Sequence, residues 1–234
     1  MNLGQFLVLQ FIAHVLADFF FQTDRLAIQK NELGFRSPFL KWHILIVFLF
    51  SWGLSFQTRF VYGALIIALT HFMIDGSKPW ISKNRIIGRY SFFIDQALHV
   101  LMLVSVTVAY AYYAELDAWV NIPIGIKGLI GVFAYLLCLK PANIFIKEMF
   151  RAYQISVPGT DDLPNAGKLI GVLERVLVLT FILLKQFEAV GFLIAAKSIL
   201  RYKNDDTIKT EYVLIGTMLS FGIAVLLGLL IGFV

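Results

Sequence analysis

Histidines and aspartates recur four residues apart in the first hundred residues of this 234-residue chain. The three pairs are His14–Asp18, His71–Asp75 and Asp95–His99, and a fourth histidine, His43, stands between them. Residues four apart lie on one face of an α-helix, so each pair presents an imidazole and a carboxylate in the same direction. Both groups are ligands of divalent transition metals. The pattern predicts a metal centre built from seven residues: His14, Asp18, His43, His71, Asp75, Asp95 and His99.

Seven potential ligands exceed the four of one tetrahedral zinc ion. We therefore expect either two ions, or one ion supported by additional His–Asp pairs. Zinc is the expected ion, and manganese or iron is the alternative. The spare carboxylate, Asp75 or Asp95, is the candidate catalytic group, acting as general base on a metal-bound water. The candidates for binding an anionic substrate are Gln22, Gln96, Lys78 and Arg175.

The elements that carry these residues are apolar segments of membrane-spanning length. Apolar residues make up 59% of the chain and charged residues only 15%, with a mean hydropathy of +0.79. Such a composition predicts an all-helical polytopic membrane bundle and excludes a soluble nucleic-acid-binding protein. The single cysteine, Cys138, excludes an intrachain disulfide. The eight predicted spans are 3–22, 39–57, 60–76, 90–114, 122–140, 168–184, 187–202 and 212–234.

The basic residues indicate which side of the membrane the loops face. Fourteen lysines and arginines, Lys30 and Lys78 among them, fall in the loops on one side of the eight predicted spans, and three fall on the other. Cytoplasmic loops carry the excess of positive charge. We therefore expect both termini on the non-cytoplasmic side, and we attribute the net charge of +5 to topology rather than to nucleic-acid binding.

The predicted helices place every ligand at a similar depth, in the cytoplasmic leaflet. A carboxylate inside a bilayer costs roughly 2.5–3.5 kcal/mol. Three such carboxylates would also repel one another unless they are paired, hydrated or bound to a cation. A single polar cavity shared by four antiparallel helices is therefore expected, as in helix bundles that bind metals.

The rear of the chain has a different predicted role. A turn-rich linker around Val157–Asp162 separates a five-helix front part, 1–155, from a three-helix rear part, 156–234, packed with it as one membrane domain. An interfacial helix is expected from Pro141 to about Ile155. Glu174 and Lys197 are predicted to form a structural ion pair. Whether 168–202 is one helix or two depends on the polar turn that begins at Lys185.

Several segments resemble a known bacterial family. His14-Val-Leu-Ala-Asp18-Phe-Phe-Phe-Gln22-Thr23-Asp24, His71-Phe-Met-Ile-Asp75-Gly-Ser-Lys78 and Asp95-Gln96-Ala-Leu-His99 resemble motifs of the family catalogued as domain of unknown function 3307. Rear segments such as Gly167–Arg175 and Glu211–Thr217 are similar to it as well. The resemblance implies a multi-pass protein of the bacterial inner membrane. A looser likeness to membrane-bound metal-dependent hydrolases suggests a reaction class by analogy.

Three functions are compatible with these features. The first is an intramembrane metal-dependent hydrolase that acts, from the cytoplasmic side, on a lipid, a lipid-linked phosphate or a membrane peptide. The second is a divalent metal-ion transporter or channel, which would need a polar path through both leaflets. The third is a metal-stabilised membrane scaffold with a closed site. The bilayer is the expected partner in each case, and the oligomeric state stays open.

Overall fold

The computed structural model describes residues 1–120, 123–155, 166–201 and 207–233, and within these ranges the chain forms helices and no strands. The ten α-helices are α1 Leu3–Val15, α2 Asp24–Leu33, α3 Pro38–Ser55, α4 Val61–Lys83, α5 Ser91–Tyr113, α6 Ile126–Cys138, α7 Lys140–Ala152, α8 Ala166–Leu183, α9 Phe187–Arg201 and α10 Thr207–Gly232. A π-helical segment, Leu16–Phe20, continues α1. Short 3₁₀ segments cover Gly34–Arg36, Thr58–Phe60 and Ile87–Tyr90. The predicted all-helical class is confirmed.

Five helical segments are long and apolar enough to cross a membrane: Leu3–Phe20, Pro38–Ser55, Thr58–Lys83, Ile87–Tyr113 and Thr210–Gly232. Helices α6 and α7 meet at a 50° bend and become a sixth span if they are taken together. Helix α8 contains three charged residues, and α9 has only 15 residues. The described helices therefore support five or six spans by length and composition, and not all eight that the apolar runs predict.

The surface polarity of the helices is the reverse of that of a water-soluble protein. Large apolar side chains are exposed along the spans, as at Leu69 and Leu101, which are 53% and 60% exposed. Polar side chains are instead buried, as at His43, Ser51 and Thr107. In lipid, polar groups must find partners inside the protein while apolar groups face the hydrocarbon. This arrangement fits a membrane protein.

Contacts divide the chain into two compact units, Met1–Phe133, which we name the front unit, and Ala134–Val234, the rear unit. In the front unit, α1, α3, α4 and α5 pack together, with α2 against α4. The apolar core near the start of α1 contains Phe6, Phe60 and Tyr110, whose rings meet in edge-to-face contacts.

Two stretches expected to be connecting loops are partly helical. Residues 24–33 form α2, which begins after the N-cap Thr23 and ends at Gly34, where φ is +53°. Helix α4 continues through Pro79 to Lys83, seven residues beyond its predicted end. Gly34 and Gly76 allow the two stretches to pack closely, since a Cβ at Gly34 would lie 2.5 Å from the Gly76 carbonyl oxygen.

The rear unit contains α7 to α10, and α8 packs against α10 and α9. Helices α8 and α9 are separate, since the chain turns at Lys185, where φ is +58°. The 168–202 stretch is thus two helices. The contact units divide at 133/134, and Arg175 of α8 donates to the Cys138 carbonyl within the rear unit. The division at 155/156 stays a prediction. The predicted linker 157–162 lies outside the described residues.

Candidate metal centre

Four helical segments of the front unit bring the seven predicted ligands into one cluster. His14 comes from α1 and Asp18 from the π-helical segment that follows it. The α3 helix supplies His43, α4 supplies His71 and Asp75, and α5 supplies Asp95 and His99. Six of these residues are buried, and the side chain of Asp18 is 7% exposed.

Four possible ligand atoms of this cluster lie close together. The Nε2 atoms of His43 and His71 lie 3.1 Å apart. Oδ1 of Asp18 lies 3.5 and 3.3 Å from these two nitrogens. Oδ2 of Asp75 lies 3.4 and 3.3 Å from the same two nitrogens. Ligand atoms about 2.0–2.1 Å from a zinc ion lie about 3.3–3.4 Å apart in a tetrahedron. Five of the six distances within this set are thus close to the edges of such a tetrahedron, and we name these four residues the first ligand set.

The remaining ligands lie beside the first set. Asp95 and His99 can each offer an atom that, together with one from Asp75, forms a group with all distances within 4.8 Å. His14 forms a similar group with Asp18 and His71. The His71 and His99 rings stack with centroids 3.7 Å apart and planes inclined by 25°. Two stacked imidazoles this close cannot both be protonated without strong repulsion, so at least one is neutral, the form that binds metals.

Two buried lysines contact the carboxylates of the cluster. Lys30 of α2 donates a 2.6 Å hydrogen bond to Oδ2 of Asp75, and Lys78 of α4 donates one of 2.9 Å to Oδ2 of Asp95. Burial lowers the pKa of Lys30, but the carboxylates of Asp75 and Asp18 outweigh it and raise this pKa above its ordinary value. Lys30 therefore remains an ammonium. Both lysines belong to the site, although the charge pattern assigned them to cytoplasmic loops.

Two glutamines complete the polar surroundings. Gln96 donates to Oδ2 of Asp18 at 3.4 Å and to Oδ2 of Asp95 at 3.3 Å, and its Oε1 lies 3.3 Å from Nε2 of His14. Gln22 is buried just beyond the π-helical segment. Their predicted role in binding substrate, like that of Lys78, stays a prediction. The structure places Gln96 and Lys78 on the carboxylates of the cluster.

A cavity of about 10 Å³ adjoins the histidines, on the side of the cluster facing the start of α1. It has room for about one water molecule. Gln10 and Ser51 lie on its wall and hold each other by two hydrogen bonds, at 2.9 and 2.7 Å. The full lining is Gln10, Ala13, His14, Val47, Ser51, Ile67, Thr70, His71, His99, Met102 and Leu103. Gln10 was not predicted as part of the polar network.

The ionisable residues of the rear unit form a structure of their own. The Arg175 guanidinium, from a residue only 1% exposed, donates to acceptors within this unit. These acceptors are the Cys138 and Leu139 carbonyls, Ser220 Oγ and Asn143 Oδ1, at 2.8, 3.5, 2.9 and 2.7 Å. The predicted Glu174–Lys197 pair is present, at 2.5 Å. The substrate-binding role expected for Arg175 stays a prediction, and its observed contacts are those of a helix-packing group.

The fold and the cluster define an all-helical protein of membrane character with a buried His/Asp centre of metal-ligand composition. The chain belongs to the family described as "Protein of unknown function (DUF3307)", whose model matches residues 6–123. The match covers α1 to α5 and all seven predicted ligands, but not the rear segments that resemble the family. Searches of the curated proteins and of the solved structures found no match.

Proposed function

We propose that the protein is an intramembrane metal-dependent hydrolase whose metal is held by the first ligand set. The observation that supports this most strongly is the spacing of two imidazole nitrogens and two carboxylate oxygens, whose N–N and N–O distances are 3.1–3.5 Å. Lys30 offsets one of the two carboxylates, and without a metal ion the other contacts need shared protons to avoid repulsion. A divalent ion satisfies all four atoms together.

The chemistry would use residues beside the metal. A bound divalent ion lowers the pKa of a coordinated water towards about 7 and polarises the bond to be cleaved. Of the two predicted catalytic carboxylates, Asp75 is already in the first ligand set. Asp95 lies outside it and keeps Oδ1 without a hydrogen-bond partner among the described residues. Asp95 is therefore the carboxylate proposed to act on the reacting water.

We propose the finer topology on the basis of the charge distribution. Eight membrane helices with both termini on the non-cytoplasmic side would place the basic loops in the cytoplasm. The His/Asp cluster would then lie in the cytoplasmic leaflet of a bacterial inner membrane. A lipid, a lipid-linked phosphate or a membrane peptide would reach it from that side.

One observation favours the scaffold as a second candidate. Four protein ligands around one ion are typical of structural zinc sites, whereas catalytic sites keep a position for water. A first ligand set without a position for water would hold the π-helical segment after α1 against α3 and α4. The metal would then stabilise the fold and catalyse no reaction. The transporter alternative has less support, because the cluster lies at one end of the helices and its continuation towards the other end is limited to neutral groups such as Gln10 and Ser51.

Metal analysis of the purified full chain tests the proposal. We expect bound zinc, manganese or iron in the wild type, and loss of the metal in His71→Ala because this residue supplies one of the four converging atoms. A second variant, Asp95→Asn, tests the proposed catalytic carboxylate. Its matched control is Asp117→Asn, at an exposed position outside the cluster. Absence of metal from the wild type, or equal metal in the wild type and His71→Ala, would contradict the metal centre.

Activity needs a separate measurement. The loaded protein in detergent or vesicles is incubated with a panel of lipid esters, lipid phosphates and membrane peptides. We expect release of product from one class, lost in Asp95→Asn and retained in Asp117→Asn. Metal binding with no hydrolysis of any class, together with loss of folding on chelation, would favour the scaffold.

A further inference from the structure

The first ligand set leaves several buried polar atoms of the cluster without hydrogen-bond partners. Oδ1 of Asp75, Oδ1 of Asp95 and both ring nitrogens of His99 have none among the described residues. These three residues are between 1% and 4% exposed. A buried polar group that makes no hydrogen bond costs about 1–3 kcal/mol. We therefore expect a bound ligand to interact with these unpartnered atoms.

The type of these atoms indicates what that ligand is. Two are carboxylate oxygens, which only accept, and a neutral imidazole offers one accepting nitrogen. Lys30 and Lys78 already bind the other oxygens, Oδ2 of Asp75 and Oδ2 of Asp95. The atoms that remain therefore point to a second positive centre, and Asp75, Asp95 and His99 can each offer one ligand atom within 4.8 Å of those of the other two.

We propose that Asp75, Asp95 and His99 bind a second divalent cation, with Asp75 shared between the two ions. This inference rests on the proposed function, because Asp75 bridges to the first ligand set. Three protein ligands leave a coordination position for water, whereas the four-ligand set must expand its coordination to bind one. The second ion is thus the one that holds the reacting water, and Asp95 acts on that water as a metal ligand.

The charge of such a centre indicates the substrate class. Three aspartates and two lysines leave one negative charge when the four histidines are neutral, and two divalent ions convert this to three positive charges. A buried centre with that charge needs anions to balance it. A metal-bound hydroxide supplies one negative charge, and a phosphoester group supplies the rest. Paired ions about 3.5–4 Å apart also clamp the attacking and leaving oxygens of phosphoryl groups. The inferred substrate is a phosphoester of a membrane lipid.

The test measures manganese stoichiometry on the full-length protein in detergent, with inorganic phosphate as the probe. We expect one tightly bound ion without phosphate and two with it, because the anion balances the second charge. Two Mn²⁺ ions sharing a carboxylate also produce a spin-coupled electron paramagnetic resonance spectrum. This spectrum in wild-type protein supports the inference without any substitution.

Variants then assign the second ion to its ligands. His99→Ala and Asp95→Asn are expected to bind one ion with or without phosphate, and to lose the coupled spectrum. Met102→Ala, one turn from His99 on the cavity wall, is the matched control and keeps both ions. One ion in the wild type under all conditions, or two ions in both ligand variants, would overturn the inference and leave the proposed function standing. No ion under any condition would contradict the proposed function itself.

Discussion

The front and rear units each bury a charged centre, but the two centres differ in how completely the chain satisfies them. In the rear unit, the Arg175 guanidinium has four protein acceptors. In the front unit, carboxylate oxygens and imidazole nitrogens contact one another, while several of these atoms have no hydrogen-bond partner in the described part of the chain. A buried group that the chain satisfies alone is typical of packing. The front cluster instead has the composition of a site completed by a ligand.

Each centre also has neighbouring residues that support it in a different way. Gly171 leaves space for the rear guanidinium, since a Cβ there would lie 3.1 Å from Nη1 of Arg175. In the front unit, Lys30 and Lys78 neutralise two of three carboxylates. With its histidines neutral, the front centre therefore retains one negative charge, which the proposed metal would balance, whereas the protein alone binds and orients the rear guanidinium. Substitutions in the two units should separate into metal-dependent and metal-independent effects.

The largest expected effect is that of Lys30→Met. It removes the ammonium 2.6 Å from Asp75 and leaves this carboxylate buried without its partner. Breaking a buried ion pair costs about 3–5 kcal/mol, and we expect this loss in metal-free protein, measured by denaturant titration in detergent. A divalent ion should recover most of the loss, because it replaces the missing positive charge. Lys41→Met, at an exposed position in α3, is the control. Equal losses with and without metal would contradict the charge-balancing role of Lys30.

Arg175→Met should lower the free energy of unfolding by about 3 kcal/mol, because it leaves buried acceptors in α6, α7 and α10 unpaired. The same titration, with and without metal, should show the same loss, and the metal content should not change. Arg151→Met is the control, since the Arg151 side chain is 67% exposed. A loss of bound metal in Arg175→Met would show that this residue belongs to the front site after all.

Gln10→Leu tests the polar pair on the cavity wall. Ser51 would lose both of its bonds to Gln10, at a cost of about 1–2 kcal/mol. The double variant Gln10→Leu/Ser51→Ala should recover part of that loss, because it also removes the Ser51 hydroxyl, while the Ser51 carbonyl that accepted from Gln10 remains. Bound metal should be retained in both variants. A double variant as unstable as the sum of the single ones would indicate that Gln10 and Ser51 act separately.

The smallest expected effect is that of Lys197→Met in the rear unit. Its side chain is 25% exposed and that of Glu174 is 13% exposed, so solvent screens the pair more than those of the front unit. We expect a loss of about 1 kcal/mol or less, independent of metal. A loss comparable with that of Lys30→Met would remove the distinction between the two units.

The sequence was sufficient to predict the long apolar helices and the clustering of seven His and Asp side chains, while their role as metal ligands stays a prediction. Long, mainly apolar runs mark α3 and α5, because a segment that spans the bilayer must be mainly apolar. The His and Asp residues were recognisable because ionisable side chains inside such runs need a shared partner. Their spacing of four placed each pair on one helix face, and the contacts among His43, His71 and Asp75 agree with that expectation.

Other features depend on tertiary contacts that periodicity does not report. Lys30 lies on a short polar helix, and only the folded chain shows that α2 packs against α4 and buries it. Thr23 before this helix and Gly34 after it are ordinary start and stop signals, so the helix itself was detectable. Helix α4 continues through Pro79, although proline lacks the N–H donor for the carbonyl of Asp75. The packing of Gly34 and Phe35 against Gly76 accompanies the longer helix.

The π-helical segment Leu16–Phe20 determines how the first span would respond to the deletion of one residue. Such a segment contains one residue more than an α-helix needs, and a single deletion would allow it to close as regular α-helix. The residues after the segment, from Phe21 to the N-cap Thr23, would keep about the same place, because the wide turn only absorbs the additional residue. The span and the start of α2 would survive, while Asp18, which lies inside the segment, would point in a different direction. The additional residue is thus connected with the direction of Asp18 and not with the thickness of the bilayer.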